Sequence, residues 1–114
     1  MLKDYSFQLG KKLIIENNDV LIQISLEDIS HILSNGSNTV IIMNNWQKYY
    51  CQKDLDHFKE LLKDYKFIKI NNQTLINKLN ILRIKNSINN TIIMRNQEIF
   101  HFDSKNELDL MIAS

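Results

Sequence analysis

The chain is expected to fold as a mainly β protein with one amphipathic α-helix, and three observations predict it. Short apolar segments rich in Ile, Val, Tyr and Phe recur along its length, and these residue types suit a pleated, half-buried surface. Asn-centred turn sequences separate the segments. A single stretch, residues 53–64, abandons the two-residue period for helical spacing.

Taken in order, strands are expected at 12–16, 20–24, 31–34, 39–43, 46–51, 67–70, 81–85, 91–95 and 98–102. The turns between them are Asn17-Asn18-Asp19, Asn35-Gly36-Ser37, Asn44-Asn45, positions 86–90 and Asn96-Gln97. Asn tolerates left-handed backbone angles better than other non-glycine residues, which is how a chain with two glycines and no proline makes so many hairpins. In the helical segment, Leu55, Phe58, Leu61, Leu62 and Tyr65 share one face, while Asp56, Lys59, Glu60 and Lys63 occupy the other. A short helical turn is expected at 105–112, where Leu108, Met111 and Ile112 share a face.

At 114 residues the chain has the size of one domain spanning 1–114, and 44% hydrophobic with 24% charged residues is the balance of an ordinary folded protein. Its longest apolar runs, such as Val40-Ile41-Ile42-Met43, fall far short of the roughly 20 residues that cross a bilayer, so no membrane association is expected. The N-terminus shows no apolar signal region, and the one cysteine, Cys51, has no internal partner, so the expected location is cytoplasmic. A net charge of +1 excludes a uniformly basic surface and makes charge placement decisive. Lys11, Lys12, Lys48, Lys66, Lys69, Lys78, Lys85, Arg95 and Lys105 spread over several hairpins, whereas acidic residues gather around 54–64 and near the C-terminus.

The most informative run is Phe67-Ile68-Lys69-Ile70-Asn71-Asn72-Gln73-Thr74-Leu75-Ile76-Asn77, a pleated apolar strand followed by a polar loop and a second apolar segment closed by Asn. It resembles the signature of the LytTR family of DNA-binding domains, in which a Phe-x-Arg/Lys-hydrophobic strand leads through a His-x-Ser loop to an apolar-apolar-Asn segment. Here Asn71 stands in place of the His and Gln73 in place of the Ser, while Asn77 keeps the closing position. Further matches follow the family's order: Ile24 to Ile32 with its Asp28-Ile29 pair, the hairpin over 33–51, and the Leu-x-x-Phe-x-x-Leu-Leu helix from Leu55 to Leu62.

This resemblance implies an elongated set of packed antiparallel sheets whose loops enter successive major grooves of double-stranded DNA. The three loops correspond to positions 35–38, 71–73 and the stretch around 103–105. It marks Asn38, Asn71, Asn72 and Gln73 as candidates for reading bases, since a carboxamide can both donate and accept in one plane against adenine. Lys48, Lys69, Lys78 and Lys105 are the candidates for phosphates, where a point charge supplies affinity without sequence information. The third loop departs from the family, which usually ends this strand in Ser-Arg or Arg-Arg, whereas this chain has Phe102-Asp103-Ser104-Lys105. Weaker or more A·T-directed binding is the consequence expected.

The resulting expectation is a sequence-specific bacterial transcriptional regulator without its own receiver domain, acting as two copies on repeated half-sites, with any signal arriving through a separate partner, through expression level, or not at all. The competing expectation is a LytTR-like fold that has lost its DNA contacts and serves as a protein-interaction module. No catalytic residues, cofactor or metal are expected: the chain has no Gly-rich phosphate loop or nucleophile elbow, and His31, His57, His101 and Cys51 lack a zinc spacing. Trp46, Tyr49 and Tyr50 resemble a stacking platform, but at strand spacing Trp46 and Tyr50 are expected to face the core or the helix.

Overall fold

The structure is a computed structural model and describes residues 6–9, 11–85 and 90–102. Its elements are β1 (Ser6–Leu9), β2 (Lys12–Asn17), β3 (Val20–Ser25), β4 (Ile29–Asn35), β5 (Asn38–Met43), β6 (Lys48–Cys51), α1 (Leu55–Leu61), β7 (Phe67–Asn71), β8 (Thr74–Asn77), β9 (Ile81–Lys85), β10 (Thr91–Met94) and β11 (Ile99–His101). Single 3₁₀ turns, Leu26–Asp28 and Lys78–Asn80, precede β4 and β9. All strand pairs are antiparallel, in an N-terminal sheet β1-β2-β3, a central sheet β6-β5-β4-β8-β7 and a C-terminal sheet β11-β10-β9. The assembly is elongated, 51 × 24 × 22 Å.

The central sheet is covered on both faces because its strands alternate two apolar sets. One set, including Ile32, Ile41, Met43, Cys51 and Leu75, packs with Leu13, Ile15 and Ile24 of the N-terminal sheet and with Leu55, Phe58 and Leu62 from the helical segment. The other, Ile68, Ile70 and Ile76, packs with Ile84, Ile92, Met94 and Phe100 of the C-terminal sheet. His31 belongs to this second face: it pairs with Ile76 and Ile42 across the sheet and meets Phe100 edge-on, with ring centroids 4.8 Å apart.

Helix α1 lies within the expected 53–64 span but is shorter. Asp54 caps it, its carboxylate accepting from the His57 N–H at 2.9 Å, so Lys53 lies outside. Past Leu61 the backbone tightens, with Lys63 N–H donating to Glu60 O and Tyr65 N–H to Leu62 O, both three residues back. Strand β1 was not among the expected elements, although the Phe7-Gln8-Leu9 alternation carries its signal. The 74–77 segment, expected only as the apolar end of the central motif, is a full strand between β4 and β7. The helical turn expected at 105–112 lies outside the described residues.

Trp46 and Tyr50 depart from expectation: they are 47% and 60% exposed rather than turned into the core. The strand starts at Lys48, two residues later than expected, and Trp46 sits in the preceding turn with φ of 73°. Pairing with β5 sets the faces: Tyr49 lies opposite Ile41 and Cys51 opposite Thr39 on the side of the α1 core, so Lys48 and Tyr50 point to the other side together. The charge on Lys48 was the available signal, since it shares a face with Tyr50 at a spacing of two.

The sheets are joined by buried carboxamides. Asn77, 1% exposed, donates from Nδ2 to Leu26 O at 3.0 Å and Ile29 O at 2.9 Å, and its Oδ1 accepts from Leu79 N–H at 3.1 Å. Asn80 donates to Glu27 O at 2.8 Å and Ile29 O at 2.6 Å. Both amides thus hold the 3₁₀ turn that carries the chain from the N-terminal sheet into the central one.

Two stability predictions follow from these contacts. Asn77→Ala removes a buried donor from Leu26 O and Ile29 O, which keep the Ile29 N–H and the Asn80 amide respectively, and leaves the Leu79 N–H without its acceptor, and urea unfolding is expected to show a loss of about 1–3 kcal/mol. Burial lowers the His31 pKa from 6.5 to about 4, so the folded state expels a proton that the unfolded chain binds. The stabilisation is complete above about pH 6.5 and is lost as pH falls toward 4, a loss of roughly 3 kcal/mol that His31→Gln removes from the pH profile of unfolding.

Candidate nucleic-acid interface

Two hairpin tips meet at one end of the central sheet. In the first, Asn35 pairs with Asn38 across a two-residue turn of Gly36 and Ser37. Gly36 has φ of 68°, a left-handed angle at the first turn position, where glycine is the residue that fits. In the second, Asn71 pairs with Thr74 across Asn72 and Gln73, and the Asn71 Oδ1 accepts the Gln73 N–H at 2.8 Å to lock the turn. Because Leu33 of β4 pairs with Thr74 of β8, the end of one hairpin lies against the start of the other. The Ser34 N–H then donates to the Gln73 carbonyl at 2.8 Å, tying the tips together.

Sequence-expected residues divide on this geometry. Asn38, Asn71, Asn72 and Gln73 are all exposed at the shared end. The Asn71 carboxamide oxygen serves its own turn, which leaves Asn72 and Gln73 as the outward-facing amides of the second tip. Lys48 stands on the edge strand β6, exposed, and alternation places it on the same sheet face as Asn38 through the pairs Val40 with Tyr50 and Ile42 with Lys48. Lys69 instead turns toward α1, where its ammonium lies 3.6 Å from the Asp56 carboxylate. Lys78 lies beyond the opposite end of β8 from the tips, with its backbone N–H bonded to Lys66 O. Lys105 and the 103–105 loop lie outside the described residues. The preceding residue, Phe102, is buried in the same apolar cluster as Ile70, immediately before the second tip.

Two hairpin turns at the other end of the strands share one design. Met43 N–H bonds to Gln47 O and Trp46 N–H to Met43 O, and Met94, Glu98 and Gln97 repeat the pattern. In each, an Asn carboxamide oxygen (Asn45, Asn96) accepts the N–H two residues on, and the residue between is left-handed. The Trp46 indole N–H donates to Asn96 O at 3.0 Å and pins one turn to the other. Sequence reasoning missed this contact, which depends on the packing of two sheets.

Among the described residues no three His, Cys, Asp or Glu side chains come together in a metal-holding group. The Cys51 thiol is buried and its pKa is pushed up to about 11 by that burial, which keeps it protonated. No described helix is long and apolar enough to cross a membrane.

The chain is an elongated set of packed antiparallel sheets with one α-helix that exposes a cluster of carboxamides on paired tips. The family model of the LytTR DNA-binding domain matches residues 19–109, and the chain belongs to that family. Among solved structures, it is similar to a LytTR DNA-binding domain from a Bacillus cereus protein described as a methyl-accepting/DNA response regulator. The TM-score is 0.72 at 15% identity, with 92% of this chain and 99% of that one covered. No curated protein matches by sequence.

The first tip makes a clean test of turn geometry. An added methyl on Gly36 meets nothing within 4 Å, so Gly36→Ala costs only its left-handed backbone, and thermal or urea unfolding is expected to show a loss of about 1–2 kcal/mol.

Proposed function

We propose that the chain binds double-stranded DNA with sequence preference, its paired tips entering the major groove, and acts in transcription regulation. The observation that carries this reading is the joined pair of tips, which offers Asn38, Asn72 and Gln73 from a rigid sheet end. A side-chain amide matches the N6 donor and N7 acceptor of adenine in one plane, so these residues favour A·T-containing sites. Asn71 supports the second tip from within its turn. Lys48 contributes phosphate attraction on the face that carries Asn38, and Lys105 adds to it from the third loop. Lys69 and Lys78 rank below them, the first being partly neutralised by Asp56 and the second lying at the far end of β8. Two copies on repeated half-sites, each a single folding unit, give such a small reader its specificity.

The test is selection from a pool of random duplexes, followed by titration of the enriched site at two salt concentrations. The expected outcome is a repeated A·T-rich motif, with Asn38→Ala and Asn72→Ala each weakening it by about 1–3 kcal/mol, roughly 5- to 150-fold, and relaxing preference at one position. Absence of enrichment and of any salt-dependent binding overturns the proposal in favour of a protein-interaction module.

A further inference from the structure

The C-terminal sheet packs on Ile68, Ile70 and Ile76 of β7 and β8, with Phe100 against His31 of β4, and among the described residues this apolar cluster includes none from β5 or β6. On that face the pairs Leu33 with Val40 and Val40 with Tyr50 form one row across β4, β5 and β6. Leu33 and Val40 are half-buried, and Tyr50 is 60% exposed. The row one step nearer the tip on this face holds Asn35 and Asn38, and the row one step farther holds Ile42 and Lys48. Asn38, Tyr50 and Lys48 therefore stand in succession at intervals of about 7 Å, two residues of strand each.

Charge distinguishes this shelf from its reverse. Asn38, Val40, Lys48 and Tyr50 include no carboxylate, whereas Asp54, Asp56, Glu60 and Asp64 lie exposed on and around α1, against the other face of the sheet. A phenol hydroxyl beside a half-buried apolar floor and an ammonium that has no ion pair among the described residues, next to the 35–38 tip, suits a sugar–phosphate backbone. The hydroxyl and ammonium meet phosphate oxygens, and the apolar floor meets the sugar. The interval of about 7 Å equals the axial advance of roughly two nucleotides on one strand of the duplex.

We infer that the β5–β6 shelf is a backbone cradle in which Tyr50 and Lys48 hold the DNA strand flanking the groove entered by the 35–38 tip. The inference rests on the DNA-binding reading above and adds to it a contact that sets affinity and register without reading sequence. Tyr50 owes its placement to the pairing of β6 with β5, which sets it opposite Val40 and Lys48 opposite Ile42 on one face.

The experiment measures binding of the selected duplex and of a random duplex across a salt series for the unaltered chain, Tyr50→Phe, Tyr50→Ala, Lys48→Met and, on the opposite face, Lys59→Met. All the replaced side chains are exposed. Tyr50→Ala is expected to weaken both duplexes equally, by about 5-fold or more, Tyr50→Phe to reproduce most of that loss, and the selected motif to stay unchanged. Lys48→Met is expected to reduce the slope of log affinity against log salt by about 0.9, and Lys59→Met to leave it unchanged. If the unaltered chain binds while Tyr50 and Lys48 variants match it, or if Lys59→Met lowers the slope as much as Lys48→Met, the cradle is overturned and the tip reading stands. If the unaltered chain does not bind, both fail. If sedimentation shows that Tyr50→Ala abolishes self-association and spares DNA affinity, the shelf is a contact between copies and the inference is overturned.

Discussion

The architecture depends on the carboxamide grip of Asn77 and Asn80 on the turn that ends at Ile29. That turn is where the chain passes from the N-terminal sheet into the central one, and its carbonyls point into the interior. The oxygens of Leu26 and Ile29 each accept a buried carboxamide donor and that of Glu27 a part-buried one, hydrogen bonds that replace those of water. Two side chains from the far end of β8 supply them. In doing so they fix where β4 begins, and β4 in turn sets the register of β5 on one side and β8 on the other. The position of the tips is thus decided at the opposite end of the same strands.

Strand alternation then makes one sheet serve two cores. In β8, Leu75 enters the core shared with α1 and Ile76 the core shared with the C-terminal sheet. Such strands are continuously apolar instead of alternating with polar residues, and they pay for double burial with strict register. His31 fits this scheme as a polar residue at a sandwich interface, bonded to Ser30 Oγ at 2.8 Å and kept neutral by burial.

Much of the fold was legible in the sequence because its strands are short, separated by Asn turns and rich in β-branched residues. Asn18 and Asp19 adopt φ of 51° and 64°, the paired left-handed angles that a two-residue hairpin demands and that the Asn-rich turn sequence foretold. Helix α1 was legible from Leu55, Phe58 and Leu62, though its ends were not, because a cap and a tightening turn act within single residues. The inward assignment of Trp46 and Tyr50 failed for a specific reason. Period-two reasoning groups Lys48 with Tyr50 and Tyr49 with Cys51 but does not say which group meets the core; pairing with β5 decides that, and Trp46 belongs to a left-handed turn before the strand. As for the site, the two loops could be named from resemblance, but their joining could not. It arises from a pairing of residues about forty positions apart, and the diversion of Lys69 toward Asp56 and the Trp46 indole bond likewise depend on tertiary packing.

The single hydrogen bond from Ser34 to Gln73 bears on how such a surface changes over evolutionary time. Because the two tips share a backbone contact rather than a flexible tether, neither can be displaced without moving the other. Substitutions in one tip are therefore epistatic with those in its neighbour. A lineage that acquires a new recognition sequence must travel through paired changes, or confine itself to exchanging side chains on an unaltered frame.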